Sequence, residues 1–164
     1  MITQQGASDD HRRFMAEAIR LSIEKMVDNH GGPFGAVIVR DGEIVSNGYN
    51  CVTSRNDPTS HAEIVAIRNA CTELNTFQLL DCQLFTSCEP CPMCLGAIYW
   101  ARLKDVFYAC TRDDAASFGF DDRFIYGEVS QPTDQRQIAM LQILREEAME
   151  AFRRWDAKED RTQY

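Results

Sequence analysis

Near the start of the chain, apolar residues recur at helical spacing: Phe14, Ala18, Ile19, Ile23, Met26 and Val27, between about Asp10 and Asn29. Positions three or four apart share one helix face, so this run predicts an amphipathic first helix. His30-Gly31-Gly32-Pro33 ends it, because glycine lets the backbone turn away and proline cannot continue the ladder. Two β-prone runs follow, Phe34 to Arg40 and Glu43 to Tyr49, joined by Asp41-Gly42. A two-residue Asp-Gly link is the strongest short hairpin signal, since both residues tolerate the positive φ of a type I′ turn. Asn50 to Pro58 is polar and turn-rich. A helix is expected next, with Ile64, Val65, Ile67, Ala70, Cys71 and Leu74 as its apolar face. Gln83 to Thr86 reads as a short strand, Cys91 to Ala101 as a helix and Lys104 to Cys110 as another strand. Residues 112–135 read as irregular. Ile143 to Ala157 reads as a closing helix with Leu144, Ala148, Phe152 and Trp155 on one side. Helix and strand alternate through the middle, which is the pattern of an α/β sandwich.

Composition narrows the class. The 164 residues amount to one ordinary domain, residues 1–164, with residues 1–9 as a frayed start. The chain lacks the roughly 18 consecutive apolar residues that a membrane-spanning helix requires. Met1 to Asp10 is polar, without the basic-then-apolar layout of a secretion signal, so a soluble, cytoplasmic protein is expected. The net charge is −8, from 25 acidic and 17 basic residues. The densest basic cluster, Arg153-Arg154, stands next to Asp156, Glu159 and Asp160. That balance disfavours a phosphate backbone as partner and favours a small, weakly charged substrate. Seven cysteines cannot all pair within one chain, so reduced thiols and metal ligation are expected.

The chemistry concentrates in His61-Ala62-Glu63 and Pro90-Cys91-Pro92-Met93-Cys94. A neutral imidazole and two thiolates are good zinc ligands, and three protein ligands leave a fourth tetrahedral position for water. Two cysteines at a helix start both reach one ion, and the dipole there favours the thiolate. Glu63 stands beside the metal without needing to bind it, and a carboxylate there moves protons from water to substrate and leaving amine. The spacing matches the H-x-E…P-C-x-x-C signature of zinc nucleobase deaminases. Two rival readings stay open: a purely structural zinc site, and Cys88 in place of Cys91 or Cys94, since Cys88 to Cys91 has the same spacing. Cys51, Cys71, Cys82 and Cys110 read as packed thiols, and His11 and His30 as helix-end residues.

Beyond that signature, Gly31 to Val37, Asp57-Pro58-Thr59, Thr86 through Trp100, Gly119-Phe120-Asp121-Asp122 and the terminal Tyr164 resemble the bacterial guanine deaminases of the cytidine-deaminase-like superfamily. The resemblance implies a three-layer α/β/α fold, a five-stranded mixed sheet with helices on both faces. It implies one zinc per subunit on His61, Cys91 and Cys94, with Glu63 catalytic. It also implies a homodimer in which the segment from about residue 130 to 164 crosses to the partner and closes its active site. By the same resemblance Asn50, Ala62 and Asp122 contact a purine, Phe34 forms an aromatic wall and Tyr164 helps to seat the base. From the residues alone, Asn50 reads equally as a turn residue, Asp121 and Asp122 as solvated loop charges, and Tyr164 as a loose terminus. The implied reaction is hydrolysis of guanine to xanthine and ammonia. The alternatives are a guanosine deaminase, a tRNA adenosine deaminase and a non-catalytic zinc-stabilised binding module.

Overall fold

The computed structural model describes residues 8–163. Two compact units divide the chain, Met1–Asp122 and Arg123–Tyr164. Helix α1 spans Asp9–Val27. Ser8 caps it: its Oγ accepts from His11 N at 3.2 Å, while Ser8 N donates to His11 Nδ1 at 3.4 Å. This reciprocal cap, with Asp9 and Asp10 in the first turn, starts the helix within the stretch expected to fray.

Strands β1 (Gly35–Arg40) and β2 (Glu43–Tyr49) form the expected hairpin, and Asp41 and Gly42 take φ of 52° and 82°. A single turn, α2 (Val52–Arg55), precedes α3 (Ala62–Glu73). Then come β3 (Cys82–Cys88), α4 (Pro92–Ala101), β4 (Asp105–Cys110) and the short α5 (Arg112–Ser117). The strand order is β2-β1-β3-β4, with β1 antiparallel to both its neighbours and β3 parallel to β4.

Alternation along β1 sorts the core into two layers, because successive side chains point to opposite faces. Val37 and Val39 join Phe14, Leu21 and Phe85 beneath α1, whereas Ala36 and Ile38 join Ala62, Ala66, Leu84 and Ile98 beneath α3 and α4. The sheet is therefore covered by helices on both faces, as expected. Helix α3 lies unusually close to β2. A Cβ on Gly48 would meet Ala62 O at 2.2 Å and Ala66 N at 2.4 Å, so only glycine permits the approach. Ser46 Oγ donates to Ala66 O at 2.8 Å and Asn69 Nδ2 to Asn47 O at 2.9 Å, fastening the pair.

Three expectations need correction. The mixed sheet has four strands among the described residues, not five. After β4 the chain goes into helices, and the apolar run holding Ile138, Leu141 and Ile143 stays 77%, 86% and 78% exposed, without a ladder partner. The stretch read as irregular contains α5, α6 (Arg123–Ser130) and a 3₁₀ turn at Thr133–Gln135. The missed signal for α5 was its capping box, in which Thr111 Oγ1 accepts from Asp114 N while Thr111 N donates to Asp114 Oδ2. Finally, Cys110 is exposed rather than packed, since it ends an edge strand whose last three residues face outward.

In the second unit, α7 (Arg145–Asp156) realises the closing helix. Arg153 and Arg154 both reach Glu150, at 3.5 and 2.9 Å, so the basic pair is balanced locally. Neither α6 nor α7 buries a residue. Among the described residues, no helix is long and apolar enough to cross a membrane.

Candidate metal centre and active site

Two helix starts converge on one point. His61 is the N-cap residue of α3, Cys91 is that of α4, and neither side chain makes a capping hydrogen bond. N-cap positions favour Ser, Thr, Asp or Asn, each worth about 1 kcal/mol over a residue that cannot cap. Here the side chains turn toward one another instead. His61 Nδ1 lies 3.5 Å from Cys91 Sγ and 3.6 Å from Cys94 Sγ.

These lengths are a test of whether zinc fits. Bonds of about 2.3 Å to sulfur and 2.0–2.1 Å to nitrogen at tetrahedral angles place N and S about 3.5–3.6 Å apart. Both edges match, and the three donor atoms lie within 4.8 Å of one another. Pro92 at the first helical position fits the start of α4, where its missing N–H costs nothing. Cys94 follows within that first turn and is fully buried. A hydrogen bond from Cys94 pulls the Cys91 thiol down to about 4, and the same contact, with burial, pushes Cys94 up. The His61 imidazole is raised by its hydrogen bond to Cys91. A sulfur that gives up its proton easily, a second sulfur and an imidazole make a donor set for a soft-accepting divalent cation. Cys88 is not in this triad: its Sγ turns to Thr111 O at 3.6 Å, and burial pushes its thiol up to about 11.

Glu63, in the first turn of α3, is buried and sits beside the triad, with Oε2 3.5 Å from Cys94 Sγ. Burial raises its carboxyl above the ordinary range, which suits a group that must both take and give a proton. When bound, zinc lowers the pKa of a water in its open position to about 7.

A cavity of about 260 Å³ opens over this point. It is smaller than the roughly 300–1,000 Å³ typical of drug-sized ligands, so it suits a small ligand. His61, Glu63, Cys91, Asn50, Asp122 and Phe34 all line it. Asn50 is held from behind, because its Oδ1 accepts from Gly32 N and Val52 N, each at 3.2 Å. The amide nitrogen is left as the group available to a ligand. A Cβ on Gly31 would stand 2.5 Å from that Oδ1, so Gly31 makes room for Asn50. Asp122 has a buried Oδ1 with no hydrogen-bond partner, and burial raises its carboxyl. Ala62 is buried outside the lining, and Tyr164 lies outside the described residues. Sequence reasoning gave no role to Phe120, whose ring meets Phe34 edge to face at 4.9 Å, or to the lining residues Glu89 and Arg112. Phe120 was legible as part of the quoted Gly-Phe-Asp-Asp run. Glu89 falls within the quoted Thr86–Trp100 stretch, whereas Arg112 carries no signal, because contact across β3 and β4 is not visible in local spacing.

Known proteins are similar to this chain. Guanine deaminase of Bacillus subtilis is 54% identical over 146 residues, 89% of this chain and 94% of its own. Its crystal structure superposes with a TM-score of 0.92 at 52% identity, covering 94% of this chain and 98% of that one. The tRNA-specific adenosine deaminase of Aquifex aeolicus is 46% identical over 77 residues, covering 47% of this chain and 51% of that protein. The cytidine and deoxycytidylate deaminase zinc-binding region matches residues 8–110. Since that region spans the hairpin, both helix starts and all three side chains of the candidate metal site, the chain belongs to the cytidine and deoxycytidylate deaminase family.

Proposed function

We propose that this chain is a zinc-dependent guanine deaminase, converting guanine and water to xanthine and ammonia. His61, Cys91 and Cys94 hold the zinc. Glu63 takes one proton from the attacking water and passes it to the ring nitrogen, and the water's second proton goes to the departing amine, so that ammonia leaves and the water's oxygen stays on carbon 2. Asn50 donates through its free amide nitrogen to an acceptor on the purine. Ala62 contributes beside Glu63 through its main chain. Phe34 and Phe120 wall the ring.

The observation that carries the substrate is the buried, unpartnered Oδ1 of Asp122 in the same cavity as the triad. A buried acceptor is normally satisfied, so this one calls for a ligand N–H. Guanine carries such donors on its ring edge. Adenine presents an acceptor at ring nitrogen 1 and would leave the carboxylate unpaired. The 54% identity to the Bacillus subtilis enzyme over most of both chains supports the same reading, whereas the Aquifex aeolicus tRNA enzyme is matched over about half. Its seven free cysteines suit a reducing compartment such as the cytoplasm.

The expected partner is a second copy. The exposed run from Ile138 to Ile143, and helices α6 and α7 without a buried residue, make the C-terminal unit of one subunit an apolar surface in search of cover. Exchange of residues from about 130 to 164 between subunits supplies that cover and brings Tyr164 to the partner's purine. Light scattering of the zinc-loaded chain should give twice the chain mass, and a monomer at micromolar concentration sinks the exchange.

The test of function is ammonia release from guanine, guanosine, adenine, cytosine and cytidine by zinc-loaded protein, with xanthine identified as the product. Guanine should lead. Glu63→Gln should keep zinc and fold but lose about 10²–10⁴ in turnover. Unchanged turnover in Glu63→Gln would remove Glu63 from the chemistry, and no ammonia from any of the five substrates would leave only a zinc-stabilised binding module.

A further inference from the structure

The segment between Asn50 and His61 connects the purine-facing amide to the metal-binding imidazole, and one side chain organises it. Asp57 Oδ1 accepts from Thr59 N at 2.8 Å and Thr59 Oγ1 at 2.7 Å, while Oδ2 accepts from Ser60 Oγ at 2.6 Å. An acid on a polar loop ordinarily faces water; both oxygens of this one are turned onto its own loop. Arg68, on the second turn of α3, approaches Oδ2 at 3.8 Å. The loop backbone closes on the same point: Ser60 N donates to Asp57 O at 3.1 Å, Asp57 N to Val52 O at 3.1 Å and His61 N to Thr59 O at 2.8 Å. Cys51 N, next to Asn50, donates to Ser60 O at 2.9 Å. Ser60 and Cys51 are 1% and 2% exposed, so the hydroxyl clamped by Asp57 has no water to turn to.

We infer that Asp57 is a positioning residue: its carboxylate clamps the loop that sets where His61 enters the metal centre and where Asn50 faces the purine. Short bonds to an ionised acceptor are the strong class, and three of them converge on this one carboxylate. The inference rests on the zinc reading of His61 and not on the identity of the substrate. It acts through His61 and touches neither metal nor purine.

The test uses the full zinc-loaded chain as Asp57→Ala, Asp57→Asn and Ser60→Ala variants. Zinc transfer to an excess of a chromogenic chelator is timed, the visible spectrum of the cobalt-substituted protein is recorded, and kcat and KM for guanine follow. Asp57→Ala should lose zinc about 10–100 times faster, the range for groups that orient a ligand from behind, with shifted cobalt bands. Asp57→Asn should recover most of the loss, because its Oδ1 still accepts from Thr59 and its amide can donate to Ser60 Oγ. Ser60→Ala should fall between. A parental zinc-release rate and cobalt spectrum in Asp57→Ala overturn the inference. Should that variant not fold, parental values in Ser60→Ala overturn it. A wild-type chain inactive on guanine would sink the proposed function alone, since zinc release needs no substrate.

Discussion

Replacing Gly48 by Ala tests whether the metal centre depends on how tightly α3 lies on β2. The added Cβ would stand 2.2 Å from Ala62 O and 2.4 Å from Ala66 N, well inside the 3.0 Å that real Cβ contacts respect. Both atoms belong to helix backbone, so no side-chain rotation relieves the clash. The first turn of α3 must back away by about 1 Å, and a core forced apart in this way typically loses about 1–3 kcal/mol. That turn carries Glu63 and begins at His61, whereas Cys91 and Cys94 ride on α4. A retreat of α3 alone therefore changes the 3.5 and 3.6 Å edges that match tetrahedral zinc. Misplacement of reacting groups by about 1 Å costs on the order of 10²-fold in rate. Urea unfolding of zinc-saturated protein, zinc stoichiometry and kcat/KM for guanine measure the three consequences together. The reasoning fails if Gly48→Ala unfolds within about 0.5 kcal/mol of the parent, the scatter of neutral surface substitutions, and retains its rate.

Other perturbations separate the remaining parts. Asp122→Asn should raise KM for guanine by about 10–100-fold, from the roughly 1.5–3 kcal/mol of a hydrogen bond to a charged group, with zinc content unchanged; an unaltered KM removes Asp122 from recognition. Hydrogen bonds from Ser60 and Thr59 hold the Asp57 carboxyl at about 2 against an ordinary 3.8. Its contribution to stability is thus complete above about pH 4 and disappears as pH falls through 2. The side-chain carbon resonance of Asp57 should stay at its ionised position down to pH 4, and a midpoint near 3.8 contradicts the clamp. Chelation of zinc should add half-buried Cys91 to the thiols that react rapidly with a disulfide reagent. Before chelation exposed Cys110 leads and buried Cys51, Cys82 and Cys94 lag throughout. An identical thiol time course with and without chelator argues that Cys91 holds no metal.

What was legible in the sequence was legible for local reasons. The Asp41-Gly42 turn and the helical stripe around Phe14 need only neighbours a few residues away, and both formed within one or two residues of the expected bounds. The zinc triad was legible because ligation restricts residue type so strongly that spacing alone marks it. The C-terminal third was harder. Its apolar residues, among them Ile138, Leu141, Ile143 and Phe152, follow the rules of a core, yet among the described residues they remain exposed. A pattern of hydrophobicity says that a surface wants cover and does not say which chain covers it, and so the expected fifth strand had no address. The contrast between helix starts carries a related lesson. Helices α1 and α5 begin at Ser8 and Thr111, each with a reciprocal cap, whereas α3 and α4 begin at His61 and Cys91 with none. Two adjacent helices that break the same local rule, with side chains meeting at zinc-edge distances, locate the chemistry independently of any motif. A metal bound by His61, Cys91 and Cys94 would exchange the stability that a cap adds for a link between the two helices, making the N-terminal turns of α3 and α4 a single unit. It follows that His61→Ser, although it installs a good cap on α3, should weaken the protein by separating the two helices.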